Sequence, residues 1–353
     1  MIRTYKYIIT DHHKLHEFVL EFFNNIEFRT EEYNTALYNV EFYNNIVSHH
    51  PRILASKFEA IYEVVKNWDQ ADRSNLCKRI RESNQIEDIC AGRIIPTSLE
   101  DLHIDIRTNI DDLFNALYEK VLKKSPYFKT IYGTLIDHFR ELKQAPNNFV
   151  KCPACGIRDV ETIYDDDRDQ YDHYLAKSIY PFSSVNFKNL IPICQKCNSL
   201  DVKSNIDIIT ETNGFVFYPF AENHKGILIS ISINEDNIDI DKIKYGFTYS
   251  NPEGKQDEIE SWKYIFKIEK RHNNFVRGRI GKWYKVYWKF INNKKLNFLN
   301  EEQKRLTCFA WMEEDETEDL SFVRKPALEA FIDQSALGQA QEQIKLYALY
   351  NNG

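Results

Sequence analysis

Cys152-Pro-Ala-Cys155, then Tyr171-Asp172-His173-Tyr174-Leu175, then Asn189-Leu-Ile-Pro-Ile-Cys194-Gln-Lys-Cys197-Asn198 decide how this chain is read. Two C-x-x-C pairs in a chain with no secretory signature point to a metal before a disulfide. A two-residue spacer lets both sulfurs of a pair reach one ion from a tight turn. Four thiolates complete a tetrahedron around zinc, so Cys152, Cys155, Cys194 and Cys197 are expected to hold a structural ion with no open position. The 38 residues between the pairs exceed the roughly 15–20 of a simple zinc ribbon, so something sizeable sits between the two knuckles. Cys77, Cys90 and Cys308 stand alone and read as small buried residues.

The insert carries the residues needed to hydrolyse a phosphodiester. Adjacent Asp172 and His173 on a strand face opposite ways. Asp172 can then ligate a hard divalent cation while His173 faces the scissile phosphate and deprotonates a water, a task suited to an imidazole titrating near neutral pH. Asn198, read in the first turn of a helix behind the second knuckle, adds a neutral oxygen ligand. Two oxygen ligands leave positions for waters and phosphate oxygens, as Mg²⁺ prefers, and Mn²⁺ is the other candidate. Asn189 is placed to hold the imidazole.

This run, Asp172-His173-Tyr-Leu-Ala-Lys-Ser178 with Asn189-Leu-Ile-Pro-Ile-Cys194-Gln-Lys-Cys197-Asn198, resembles the HNH endonucleases, ββα-metal nucleases that often carry a four-cysteine zinc knuckle. The resemblance covers about a sixth of the chain. It implies His173 as general base, Asp172 and Asn198 as ligands of a catalytic divalent ion, and Asn189 as the middle Asn of the motif. Ala176 stands where members often have Pro, and Asp201 where they often have Lys, so Lys203 is read as taking that lysine's place on nucleic acid beside Lys177. Gly214–Phe220 resembles the continuation in HNH proteins of bacterial defence loci. Some of these, including nuclease subunits of Septu-type systems, act with an ATPase partner. Two rival functions remain: a non-catalytic zinc module that binds nucleic acid, and an HNH nuclease that cuts RNA.

Around this core the expected fold is α+β: a helical N-terminal domain (1–147), the nuclease core (148–210) and a mixed α/β C-terminal region (211–353). Leu15, Phe18, Val19, Phe22, Phe23 and Ile26 form one helical stripe, as do Leu54, Phe58, Ile61 and Val65, and Ile110, Leu113, Phe114, Leu117, Val121 and Leu122. The helical domain has no visible catalytic set and reads as a partner or regulatory surface. Its histidines lack a ligand-like arrangement. Gly214–Phe220, Ile227–Ile233 and Lys244–Tyr249 read as strands, and Asn251-Pro-Glu-Gly254 as a turn. Helices are expected over Ser261–His272 and Trp283–Phe290. Another should follow a capping box at Asn300 and Gln303, and the last should start at Pro326.

Across 353 residues the net charge is −7, yet Trp262–Arg305 holds 13 Lys/Arg against 3 Asp/Glu, and Glu313–Asp319 places six acids in seven positions. Such a basic segment can attract phosphates even on an acidic molecule. Lys270, Arg271, Arg277, Arg279 and Lys282, interleaved with Trp262 and Trp283, are therefore candidate nucleic-acid contacts, with DNA favoured over RNA. Gly278-Arg-Ile-Gly281 reads as a turn between basic helices, and Asp165–Asp169 as an exposed loop. With 43% hydrophobic residues, scarce Gly and Pro and no apolar run of membrane length, disorder, collagen-like structure and membrane insertion are excluded, and a cytoplasmic setting is expected.

Overall fold

The stripe from Leu15 to Ile26 becomes the buried face of a helix, Lys14–Ile26, and its six apolar residues are those that leave solvent. Burying side chains of this size stabilises by about 1.5–3 kcal/mol each, which fixes the orientation of the helix. The computed structural model describes residues 1–166, 168–235, 242–314, 321–334 and 338–350. Among them helices dominate, and the strands form two antiparallel two-stranded sheets, an α+β composition. None of the helices is long and apolar enough to cross a membrane.

The chain divides into two compact units, one made of Thr4–Asn148 and Val160–His224, the other of Met1–Arg3, Phe149–Asp159 and Lys225–Gly353. These cut across the consecutive segments read from the sequence, and the reason lies in the first knuckle. Trp262 donates from Nε1 to the Ala154 carbonyl (2.6 Å), His272 Nε2 meets the Cys155 carbonyl (3.0 Å), and the Ile2 amide donates to Pro153 (2.9 Å). Gly156, at φ +70°, closes the knuckle turn, and a Cβ there would clash with the Phe322 ring.

In the first unit, helices Ser56–Val65 and Ile104–Ala116 bury the other two stripes. The latter passes into a π-wound segment, Leu117–Leu122, where the expectation was one continuous α-helix. Helix Leu135–Leu142 starts on a capping box between Thr134 and Asp137. Strand β1 (Tyr171–His173) pairs with β2 (Leu190–Pro192) in the register Tyr171↔Pro192, Asp172↔Ile191, His173↔Leu190. Gly214–Phe220, expected as a strand, has no ladder. Its polar groups are satisfied singly, as where Val216 donates to the Cys90 carbonyl (2.9 Å) and Pro219 accepts from Tyr5 (2.9 Å).

In the second unit, β3 (Leu228–Glu235) and β4 (Lys244–Ser250) form the expected hairpin sheet, and Gly254 returns to the Asn251 carbonyl in the expected turn. The helix read at Ser261–His272 is two helices, Gln256–Ile265 and Ile268–Arg277, broken at Lys267, whose φ is +50°. Helix Ile280–Ile291 is as expected, with Gly278 in the turn before it. Asn300 and Gln303 cap each other ahead of Glu301–Glu314. Pro326 lies inside Ser321–Gln334 rather than opening it, and a separate helix, Gln339–Tyr350, follows. Residues 315–319 of the acidic run fall outside the described residues.

A buried histidine supplies a pH test of the first unit. His138 is 3% exposed, contacts the Tyr171 hydroxyl, and is held by burial at a pKa of about 2. In the unfolded chain it titrates near 6.5. Above about pH 6.5 neither state carries its proton. As pH falls below that value the unfolded chain takes up a proton that the folded protein excludes. Stability is therefore expected to drop on acidification, by up to about 1.4 kcal/mol per pH unit from this residue alone. Urea denaturation at pH 7.5 and 5.0 should show the fall, and His138→Leu should make it shallower.

Candidate active site and metal cluster

The four knuckle cysteines are buried and come together, with their sulfurs all within 4.8 Å of one another. Tetrahedral zinc with sulfur at about 2.3 Å places sulfurs roughly 3.8 Å apart, so the set is of the right size for one ion. Each pair is bent by its own backbone: Gly156 donates to the Cys152 carbonyl (2.7 Å), and Asn198 donates to the Cys194 carbonyl (3.2 Å). All four predicted ligands are thus gathered in one place.

The two-residue alternation of β1 separates Asp172 from His173 as expected. Asp172 is 3% exposed, whereas His173 is part-buried. His173 Nε2 lies 2.9 Å from the Ser184 carbonyl oxygen. A carbonyl only accepts, so Nε2 carries the proton and Nδ1 keeps the lone pair. Burial lowers the pKa of the ring to about 3, opposed by the Ser184 bond, so at neutral pH it is uncharged. The Tyr118 ring covers one side of it, edge to face at 4.4 Å.

Asn189 makes no hydrogen bond to that ring. Fully buried, it accepts from the Leu175 amide (2.7 Å) and donates to the Leu175 carbonyl (3.1 Å), the Ser183 carbonyl (3.3 Å) and Ser183 Oγ (3.1 Å). Its side chain therefore pins both ends of the 174–189 loop, next to the Ser184 carbonyl that orients His173. Expected as the residue that holds the imidazole, Asn189 has its side-chain hydrogen bonds with Leu175 and Ser183.

The largest departures follow the second knuckle. The expected helix carrying Asn198 is a run of turns, in which Lys203 donates to the Cys197 carbonyl (3.3 Å) and Ser204 has φ +47°. Lys203, expected to contact nucleic acid in place of the family's lysine, is 0% exposed. Its Nζ lies 3.1 Å from Asp172 Oδ1 and 3.0 Å from Oδ2, and donates to the His173 carbonyl (2.8 Å). The ammonium is aligned for a hydrogen bond to Oδ1, while Oδ2 has the charge contact without an aligned bond. Burial raises the pKa of Asp172, and Lys203 opposes that rise.

Asp172, His173, Lys177 and Asn198 nevertheless line one cavity of about 360 Å³, together with Tyr118, Glu119, Lys123 and Arg168. Asp172 and Asn198 offer the hard oxygen donors that Mg²⁺ or Mn²⁺ takes, and Oδ2 lacks an aligned donor, so the residues fit such an ion in kind. Lys203 is the competing charge. Tyr118, Glu119 and Lys123 escaped the sequence reading because nothing in a helical stripe shows that it will face a histidine 50 or more residues away, and Arg168 because its loop carries no periodicity to place it.

The C-terminal basic segment sorts itself by chemistry. Trp262 (2% exposed) and Trp283 (9%) are core residues, not stacking platforms. Lys270, Arg277, Arg279 and Lys282 are exposed, with Arg279 lying over the Phe275 ring. Arg271 is half-buried and donates to the Phe266 carbonyl (2.9 Å), closing the helix that ends at Ile265. Lys270 and Arg277 line a separate cavity of about 980 Å³. Compared with protein-family models, with curated proteins and with solved structures, the chain matches none.

Removing one partner of a buried ion pair costs about 3–5 kcal/mol, because the other charge is left unpaired. Lys203→Met is therefore expected to lower the melting temperature markedly in EDTA. If Asp172 and Asn198 hold a cation, Mn²⁺ should recover more of that loss in the variant than it adds to the wild type, by differential scanning fluorimetry.

Proposed function

We propose that this chain is a metal-dependent endonuclease of the HNH type that hydrolyses phosphodiester bonds in nucleic acid, DNA in the first instance. One observation carries the reading: a histidine with its Nε2 proton committed to the Ser184 carbonyl stands in a cavity with a carboxylate and an amide suited to a divalent ion. The free lone pair on Nδ1 is the general base, and a water between it and a phosphorus is the nucleophile. Neutrality of the ring at pH 7 keeps that lone pair available. Asn189 and the Ser184 carbonyl prevent the ring from turning its protonated edge to the substrate. An ion held by Asp172 and Asn198 would neutralise charge on the phosphate and on the leaving oxygen. For it to bind, Asp172 must be shared with Lys203 or released by it. The four cysteines hold zinc and contribute folding rather than chemistry.

The sequence resemblance extends the reading to an effector of bacterial defence that works with an ATPase partner through its helical N-terminal segment. Zinc-dependent binding of nucleic acid without cleavage is the second reading, favoured by the ion pair that already occupies Asp172.

The deciding measurement is cleavage of a supercoiled plasmid, and in parallel of labelled single-stranded DNA and tRNA, with Mg²⁺ or Mn²⁺. The wild type should nick or linearise DNA, and His173→Ala should lose at least about 100-fold in rate, the usual contribution of general-base catalysis. Equal binding by both proteins with no cutting under any divalent ion establishes the second reading instead. Separately, Cys155→Ser should release zinc, read by inductively coupled plasma mass spectrometry, and lower the melting temperature. A zinc-free variant as stable as the wild type contradicts a folding role for the metal.

A further inference from the structure

The wall of the His173 cavity contributed by residues 117–123 has no role in the hydrolysis described so far. Glu119 and Lys123 are four residues apart, and such a pair on a helix is ordinarily a solvated surface contact of little consequence. Two features set this one apart. The backbone here is π-wound, with the Lys123 amide donating to the Tyr118 carbonyl (3.1 Å), and such windings recur at functional sites. In addition, the Glu119 carboxylate is shared. Oε2 takes Lys123 Nζ at 2.8 Å, and Oε1 takes Lys177 Nζ at 2.9 Å, from the loop directly after Asp172-His173.

Both ammonium groups lie against the Tyr118 ring, at 5.4 Å for Lys123 and 5.2 Å for Lys177, and that ring in turn covers His173. Lys177 also donates to Asn115 Oδ1 (3.2 Å). Of the six N–H donors on the two lysines, three are used among the described residues, and three remain for a ligand. Arg168, over the Tyr171 ring at 4.9 Å, adds a third cation to the lining. Lys203 already balances Asp172, so one carboxylate, that of Glu119, stands against three cations in the cavity that His173 lines. Its lining carries an excess of positive charge suited to a phosphate oxyanion.

We propose that Lys123 and Lys177, held as a pair by Glu119, form the receptor for the phosphate group attacked at His173, so that the helical N-terminal segment supplies part of the substrate site. Lys123 and Lys177 touch the substrate. Glu119 is a positioning residue that keeps two like charges side by side at the cavity wall in the absence of substrate. Tyr118 excludes water from one face of the imidazole and limits where a phosphate can approach. This inference rests on the nuclease reading for the identity of the reacting group, but the binding half of it stands by itself.

The test uses the full chain bearing His173→Ala, so that binding is read without cleavage, and a fluorescein-labelled 30-base-pair DNA titrated by anisotropy at several salt concentrations. Lys123→Ala and Lys177→Ala should each weaken binding several-fold and reduce the slope of log K against log[salt] by about 0.9, the value of one phosphate contact on duplex DNA. Lys123→Arg should restore the slope, which a merely structural role would not predict. In the chain with His173 intact, Glu119→Gln should leave KM unchanged or lower and reduce kcat about tenfold or more, because the charges stay but their placement is lost. An unchanged affinity and slope in Lys123→Ala, with the wild type cutting and His173→Ala inert, overturns the receptor and leaves the nuclease reading intact. A slope that falls as stated in a wild type that never cuts overturns the nuclease reading and supports the receptor.

Discussion

A carboxylate removed from water must be balanced, and at Asp172 the balance is Lys203. Because the ammonium also donates to the His173 carbonyl, one side chain fastens strand β1 to the chain that follows the second knuckle. That demand explains the local backbone. From Cys197 onward a regular helix would direct Lys203 by helical periodicity alone. Instead the chain turns, with Lys203 bonded to Cys197 and Ser204 in the left-handed region, and Nζ reaches both Asp172 oxygens. The orientation of β1, and with it of His173, depends on this contact from one side and on the Asn189 staple from the other.

The imidazole is thus fixed through the backbone rather than by a carboxylate partner. A carbonyl acceptor settles the tautomer without adding negative charge, and burial, which outweighs the upward pull of that bond, keeps the ring neutral. Asn189 acts one step removed, holding the loop whose Ser184 carbonyl does the orienting. Its complete burial, with oxygen and nitrogen both engaged, gives the loop a single geometry.

Much of this was legible in the linear chain. The stripe Leu15–Ile26 is buried residue for residue, β3 and β4 fall where alternating β-branched runs placed them, and the Asn300–Gln303 cap forms. These signals are local, decided by periodicity or by a hydrogen bond within four residues. The readings that failed depended on distant partners. Gly214–Phe220 has strand composition but no adjacent strand, so its amides go to separate acceptors. Lys267, at φ +50°, divides one apolar periodicity into two helices, and Pro326 is accommodated within a helix. In the basic segment, spacing could not tell a tryptophan that stacks on bases from one that fills a core. Trp262 fills a core, because its indole has a buried carbonyl to reach at Ala154.

Residue type and spacing alone were enough to mark four sulfurs as one ligand set and Asp172-His173 as neighbours on opposite faces of a strand, since both follow from short-range geometry. Which nitrogen of His173 bears the proton, what neutralises Asp172, and which helical residues close the cavity are settled by groups 11 to 55 positions away in the chain, namely Ser184, Lys203 and Tyr118. Charge balance and desolvation are properties of an enclosed space, and a linear sequence has no inside until it folds.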